Sequence, residues 1–278
     1  MSGPSRLPGS LPSTLHSSSL KIGDFFTPSE WARFAVRTHG IFPAWMNGKS
    51  VFDPSMGSGA LLQALVEEGL ERGYKLRELP LKSLYGCEKN RQYRRQAIEI
   101  FSRRCGMDMS DNFFPGDFLL CRSRPFDIIL GNPPWMNFTA LPEDYREELK
   151  VYFHTYSLVE SRRSLLLGSS RVDIAALIIN KAIAEHLVPG GRAVFFAPLS
   201  LLLGSGAHEA FRRFHVNGTD FALCSVHDFR AAQVFPNVST RYGLMAFERN
   251  SLTEYPVPWF SLENGEWQKL SARPLTGR

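Results

Sequence analysis

The residues with the clearest chemistry are Asn132-Pro133-Pro134-Trp135, which follow directly on the apolar run Phe126-Asp127-Ile128-Ile129-Leu130. Two successive prolines fix the backbone and remove two N–H donors. The Asn132 amide oxygen and the Pro133 carbonyl are left as fixed acceptors. Two acceptors facing one amino group can hold both of its N–H bonds, draw the nitrogen lone pair out of conjugation and aim it at an electrophile such as a methyl sulfonium. Positioning of this kind supplies several kcal/mol, with roughly 7–11 as the limit for ideal geometry. No nucleophilic side chain and no metal is required. Trp135 adds an aromatic face for a planar substrate, worth about 1–3 kcal/mol per stacked base. The competing reading is a proline-rich loop with a core Trp.

Three acidic residues stand upstream, each at the end of a strand-like segment. Asp53 closes Lys49-Ser50-Val51-Phe52-Asp53 and opens the turn Pro54-Ser55-Met56-Gly57-Ser58-Gly59. Glycines there let the backbone turn tightly into a helix and approach a ligand closely. A carboxylate in place of a phosphate-binding loop suits a cationic partner, such as the amino group of a methionine moiety. Glu88 ends the next strand, where a carboxylate can accept both hydroxyls of a ribose. Asp117, after Gly116, can accept from an adenine amino group. Each has a bland alternative, a solvated charge or a turn residue, but three at successive strand ends beside a Gly loop point to a nucleoside-like ligand.

The elements that must position these residues alternate. The pattern predicts a helix from Ser29 through Arg37 behind Phe25-Phe26-Thr27-Pro28, with Ser or Thr as its cap. It predicts helices from Ala60 to Leu70, Asn90 to Arg104, Val172 to Leu187 and over 207–215. Strands are expected at Lys49–Asp53, Leu81–Glu88, Phe126–Leu130, Arg192–Ala197, Phe221–Asp228 and Tyr242–Glu248, while residues 138–171 look irregular and mobile, with weak helical patches. Such alternation specifies an α/β fold, a mostly parallel sheet with helices on both faces. Ligands then bind beyond the carboxyl ends of the strands.

The chain has 278 residues, 44% hydrophobic and 21% charged, as expected of a soluble globular protein. No run of about 18 apolar residues is present, so no membrane-spanning helix is expected. Net charge is +5 and Arg outnumbers Lys 24 to 8, which suits phosphates and bases but also an ordinary basic surface. Four dispersed Cys and seven scattered His give no zinc spacing, and the Cys pattern fits a reducing cytoplasm. Residues 1–19 are rich in Ser, Pro and Gly and are expected to be a disordered tail. Residues 20–250 then form the catalytic domain, and 251–278 an extension or the start of a truncated segment.

In its motifs and their order the sequence resembles the gamma-type DNA adenine-N6 methyltransferases of restriction–modification systems, from about Lys21 to Arg249. The resemblance implies a Rossmann-like methyltransferase fold with a seven-stranded sheet and S-adenosyl-L-methionine as cofactor. It implies cofactor contacts by Thr27, Pro28, Asp53, Gly57, Gly59, Glu88 and Asp117, and catalysis by Asn132, Pro133, Pro134 and Trp135. In Gln233-Val234-Phe235-Pro236 it implies that Phe235 packs on a target adenine flipped out of DNA, sandwiching it with Trp135; the alternative is a core Phe. Members usually carry a target-recognition domain after the catalytic one. About thirty residues follow Arg249, so the expectation is either a truncated chain or a separate specificity or restriction subunit as partner. Two alternatives stay open: the same chemistry on RNA bases or a protein Gln, and a non-catalytic subunit that binds DNA or a partner.

Overall fold

The computed structural model describes residues 27–121, 124–159, 172–203, 206–230, 232, 234–235 and 238–270. The expected tail at 1–19, Phe25, Phe26, Gln233 and Pro236 lie outside them.

The chain runs α1 (Ser29–Arg37), α2 (Ile41–Met46), β1 (Val51–Asp53), α3 (Ala60–Glu71), β2 (Leu84–Glu88), α4 (Arg91–Cys105), β3 (Phe113–Pro115), β4 (Phe126–Gly131), α5 (Glu143–Thr155), α6 (Ile174–Lys181), β5 (Leu187–Pro198), β6 (His215–Val216), β7 (Thr219–Asp228), β8 (Tyr242–Arg249), β9 (Trp259–Glu263) and β10 (Glu266–Leu270), with short helical turns between some of them. One sheet has the order β10-β9-β7-β8-β5-β4-β1-β2-β3, with β6 paired to β7. Pairs from β3 through β5 are parallel. β8 runs antiparallel to both neighbours.

Side chains alternate across the strands, and each face acquires its own core. Val51, Leu84, Ile128, Leu130, Val194 and Phe196 meet the helices α1 to α4. Phe52, Ile129, Ala193, Phe195 and Phe247 meet α5 and α6. This is the α/β sandwich that the alternating pattern implies. The chain travels outward from β1 to β2 and β3, then crosses back to β4 on the other side of β1. Loops leaving β1 and β4 therefore diverge, and a crevice opens between them.

Several segments differ from the sequence pattern. The sheet does not stop at seven strands, because β9 pairs with β7 and β10 with β9. The hairpin turns at Asn264 (φ 51°) and Gly265 (φ 84°), the Asn-Gly pair a two-residue turn favours. Residues 143–155 are not irregular but form α5, which buries Leu149 and Phe153 one turn apart. The expected helix at 207–215 is only a 3-10 turn at Phe211–Arg213. After Lys181 the helix widens into a π turn, Ala182–His186. Strand β5 begins five residues earlier than the pattern suggests.

Candidate cofactor and methyl-transfer site

A cavity of about 1080 Å³ lies over the crevice between β1 and β4, at the upper end of the range for small-molecule sites. Of the residues expected from sequence, Thr27, Asp53, Gly57, Glu88, Asp117, Asn132 and Pro134 line it. Pro28, Gly59, Pro133, Trp135 and Phe235 are not among the lining residues.

Asp53 is carried to the cavity floor by the buried end of β1. Its carboxyl accepts the Ser55 N–H at 3.0 Å. Burial, with the nearby charge of Glu88 adding to it, pushes this carboxyl up to about 8. A cation set against it would relieve that burial. Gly57 and Gly59 carry the turn into α3 with φ of 55° and 84°, which a side chain would strain. The Gly57 N–H donates to Glu88 at 2.8 Å, tying the glycine turn to the end of β2. The other Glu88 oxygen accepts the Asn90 N–H at 2.6 Å. Asn90 in turn caps α4, accepting from the Gln92 N–H. Both oxygens of Glu88 are thus held in place while the residue still lines the cavity.

Asp117 is held from three directions. The Leu119 N–H donates to one oxygen at 3.0 Å. Tyr145 and Lys89 donate to the other, at 2.6 and 2.8 Å. The Lys89 ammonium also sits 3.8 Å from the centre of the Tyr145 ring. Burial and the bond to Asp117 both push the Tyr145 phenol up, so it stays a donor. Tyr145 belongs to α5, which with Ala140, Leu141 and Pro142 closes one side of the cavity. The first-turn signal Pro142-Glu143-Asp144 marks the start of this helix, but nothing local shows that it reaches the site.

Asn132 leaves the end of β4. Its amide nitrogen donates to Thr27 Oγ1 at 3.1 Å, and its main-chain carbonyl accepts from Ser55 Oγ at 3.3 Å. The Thr27 hydroxyl is therefore spent on Asn132 rather than on capping α1, where Pro28 takes the cap position. The bond to Thr27 fixes the orientation of the Asn132 amide, with its nitrogen on the Thr27 side. Past the prolines, Phe138 N–H donates to the Val172 carbonyl and Ile174 N–H to the Met136 carbonyl, both at 2.9 Å. Asp173, the N-cap of α6, accepts from Ala175 N–H at 2.8 Å and Met136 N–H at 3.3 Å. Burial pushes its carboxyl up to about 6. The segment after the prolines is thereby stapled to the start of α6.

Trp135 and Phe235 do not stand as two sides of a slot. Their rings meet edge to face with centroids 5.0 Å apart, and both are buried, at 9% and 1% exposure. The Trp135 indole N–H donates to the Phe196 carbonyl at 3.3 Å, and the ring leans on Tyr242. The Phe235 N–H donates to the Tyr242 hydroxyl. No base fits between rings already in contact. The reading of both as core aromatics describes this arrangement.

Among the described residues, no helix is long and apolar enough to cross a membrane.

Comparison with known proteins matches residues 13–257 to the family model described as N-6 DNA Methylase. The modification methylase CviBIII of Paramecium bursaria Chlorella virus NC1A is 25% identical over 213 residues, 75% of this chain and 46% of that protein. The chain spans less than half the length of the curated relatives it matches. The methyltransferase subunit of a type I restriction–modification system from Streptococcus thermophilus superposes with a TM-score of 0.60 at 18% identity, covering 90% of this chain and 51% of that one. A putative class I S-adenosylmethionine-dependent methyltransferase from Listeria monocytogenes also gives a TM-score of 0.60, at 13% identity, covering 87% and 67%. At these identities the structural likeness shows the fold.

Proposed function

Since the chain belongs to the N-6 DNA methylase family, we propose that it carries the methyl-transfer site of an adenine-specific DNA methyltransferase of a restriction–modification system, using S-adenosyl-L-methionine. One observation carries this reading: Asp53, Glu88, Asp117 and Asn132, spread over 80 positions of sequence, all line one cavity at the switch point of the sheet.

The residues fit the cofactor. A buried carboxyl held at about 8 by burial suits an ammonium group. Glu88, locked by two backbone N–H groups, keeps acceptor capacity for two hydroxyls. Asp117 faces the same cavity and can accept from the amino group of a purine. When bound, the cofactor supplies an electrophilic methyl group on sulfur.

The chain's own part is to position the acceptor nitrogen. An amino group in a duplex is out of reach, so the target adenine must leave the stack. Thr27 orients the Asn132 amide, and the Pro133 carbonyl is the second acceptor that the motif offers. These two oxygens accept the N–H bonds of the adenine amino group. Pro134 lines the cavity next to Asn132 and offers a flat apolar surface. Trp135 supports the loop from within the core, and a stacking role for it or for Phe235 would require them to part.

The S. thermophilus protein is by its name a subunit. The same division of labour here gives the chain a separate specificity or restriction subunit as partner, with DNA as substrate. The test is transfer of tritiated methyl from S-adenosyl-L-methionine to DNA, RNA and protein side by side. DNA is expected to be labelled, on adenine. Asn132→Ala is expected to lower transfer at least 100-fold while calorimetry still finds cofactor binding. Near-normal turnover in that variant would sink the mechanism.

A further inference from the structure

Lys181 is the last residue of α6 and its side chain is almost wholly buried, at 4% exposure. It lies one turn beyond Ile178, a cavity-lining residue, and just before the π turn. Its ammonium donates to the Leu119 carbonyl at 3.0 Å. Glu185 Oε2 is 3.6 Å away, and the rings of Phe118 and Tyr156 flank the ammonium at 5.6 and 5.8 Å.

Taking an ammonium out of water is unfavourable, and the bonds it makes inside the core largely offset that cost rather than add net stability. The charge therefore calls for a use other than holding the fold together. Its main partner indicates that use. Leu119 is the residue whose N–H holds Asp117, at 3.0 Å. The loop that presents Asp117 is thus fixed at Leu119 on both faces of one residue, its N–H by the carboxylate and its carbonyl by the buried ammonium. Phe118 and Leu119 themselves line the cavity. A charge-assisted bond inside the core is stronger and more directional than the contact a methyl group would make.

We propose that Lys181 is a positioning residue for cofactor recognition, which acts through Leu119 to set the Asp117 carboxylate where it reads the amino group of the bound purine. This rests on the cofactor reading above. Lys181 does not touch the ligand. Its effect is confined to the part of the affinity that depends on Asp117.

The test compares wild type with Lys181→Met, which keeps length and volume but loses the charge and the donor, and with Lys181→Arg, which keeps both. Binding of S-adenosyl-L-homocysteine and of its analogue lacking the 6-amino group is measured by calorimetry, and melting temperature by scanning fluorimetry. Lys181→Met is expected to weaken the amino-bearing ligand about tenfold, the loss of one charge-assisted bond. Binding of the amine-less analogue should change less than twofold, and the melting temperature should fall by a few degrees, because the Leu119 carbonyl loses its donor. Lys181→Arg should keep the discrimination. Equal binding of the amino-bearing ligand by wild type and Lys181→Met overturns the inference. So does equal weakening of both ligands, or failure of Lys181→Met to fold, since the lysine would then be holding the structure rather than the carboxylate. Wild type that binds neither ligand overturns the cofactor reading and this inference with it, an outcome distinct from all the others.

Discussion

Asp53 shows how a residue's surroundings decide its chemistry. Burial holds its carboxyl at about 8, so near pH 7 it is mostly protonated. An ammonium set against it favours the charged form and lowers that value. Binding of S-adenosyl-L-methionine at pH 7 is then expected to release about one proton from the protein, and affinity should rise with pH up to about 8 as that release ceases to be needed. Calorimetry in buffers of different ionisation enthalpy reads the proton directly. Asp53→Asn should bind at least tenfold more weakly and release none from this site; equal proton release in wild type and variant would show that the cation sits elsewhere.

The same residue marks where sequence was informative. Asp53, Glu88 and Asn132 were legible because each interrupts or follows a buried apolar strand, where a charge or amide has no packing role. Tyr145, Asp173 and Lys181 were not. They sit in ordinary helical patterns and reach the site only through tertiary packing, which periodicity does not encode. Trp135 differs from its sequence reading in its surroundings. An indole beside two prolines looks like a stacking platform, yet its hydrogen bond to Phe196 and its contacts with Phe235 and Tyr242 make it a core residue.

At the scale of elements, the site depends on how α6 and the loop after β4 hold one another. Asp173 caps α6 and also accepts from Met136, so a single carboxylate serves both a helix end and the strand exit. Asp173→Ala is expected to destabilise the protein by about 1–2 kcal/mol, the usual loss for a cap. It should also lower the rate of methyl transfer more than it lowers cofactor affinity, because Met136 follows the Asn-Pro-Pro-Trp segment directly. Denaturant titration and a split of kcat from cofactor KM check both parts; a change confined to cofactor KM would place Asp173 in the wrong half of the site. On the opposite face, α1 is pinned to α3 by Glu68, buried at 2% exposure and paired with Arg37 and Arg72. That clamp fixes the far end of α1, while at its near end Thr27 accepts from the Asn132 amide. The helix itself was readable from its apolar run, expected from Val172, and α6 starts two residues later at Ile174. The wide turn that ends it was not, since a π turn leaves no period of its own.

Over the whole molecule the sheet divides into two regions with different work. Its parallel part, β3 to β4, ends at the cavity, while β8, β7, β9 and β10 lie beyond β5. The far hairpin is firmly joined: Trp259 is buried, and Trp267 stacks on Phe34 of α1 at 5.0 Å. Its Asn264-Gly265 turn, flanked by strand-like residues, was the local signal that residues 251–270 complete the sheet. Cofactor binding should therefore be felt unevenly. Ligand contacts at the ends of β1, β2 and β4 and at Asp117 are expected to suppress local opening there. Hydrogen exchange followed by mass spectrometry should show slower exchange on adding S-adenosyl-L-methionine at 54–60, 88–93, 116–121 and 132–142. Residues 259–270 should exchange at an unchanged rate, since they belong to the fold but not to the site. Protection that appeared first in the hairpin would mean that the ligand binds outside the crevice between β1 and β4, and that the cavity described here is not the one that carries the chemistry.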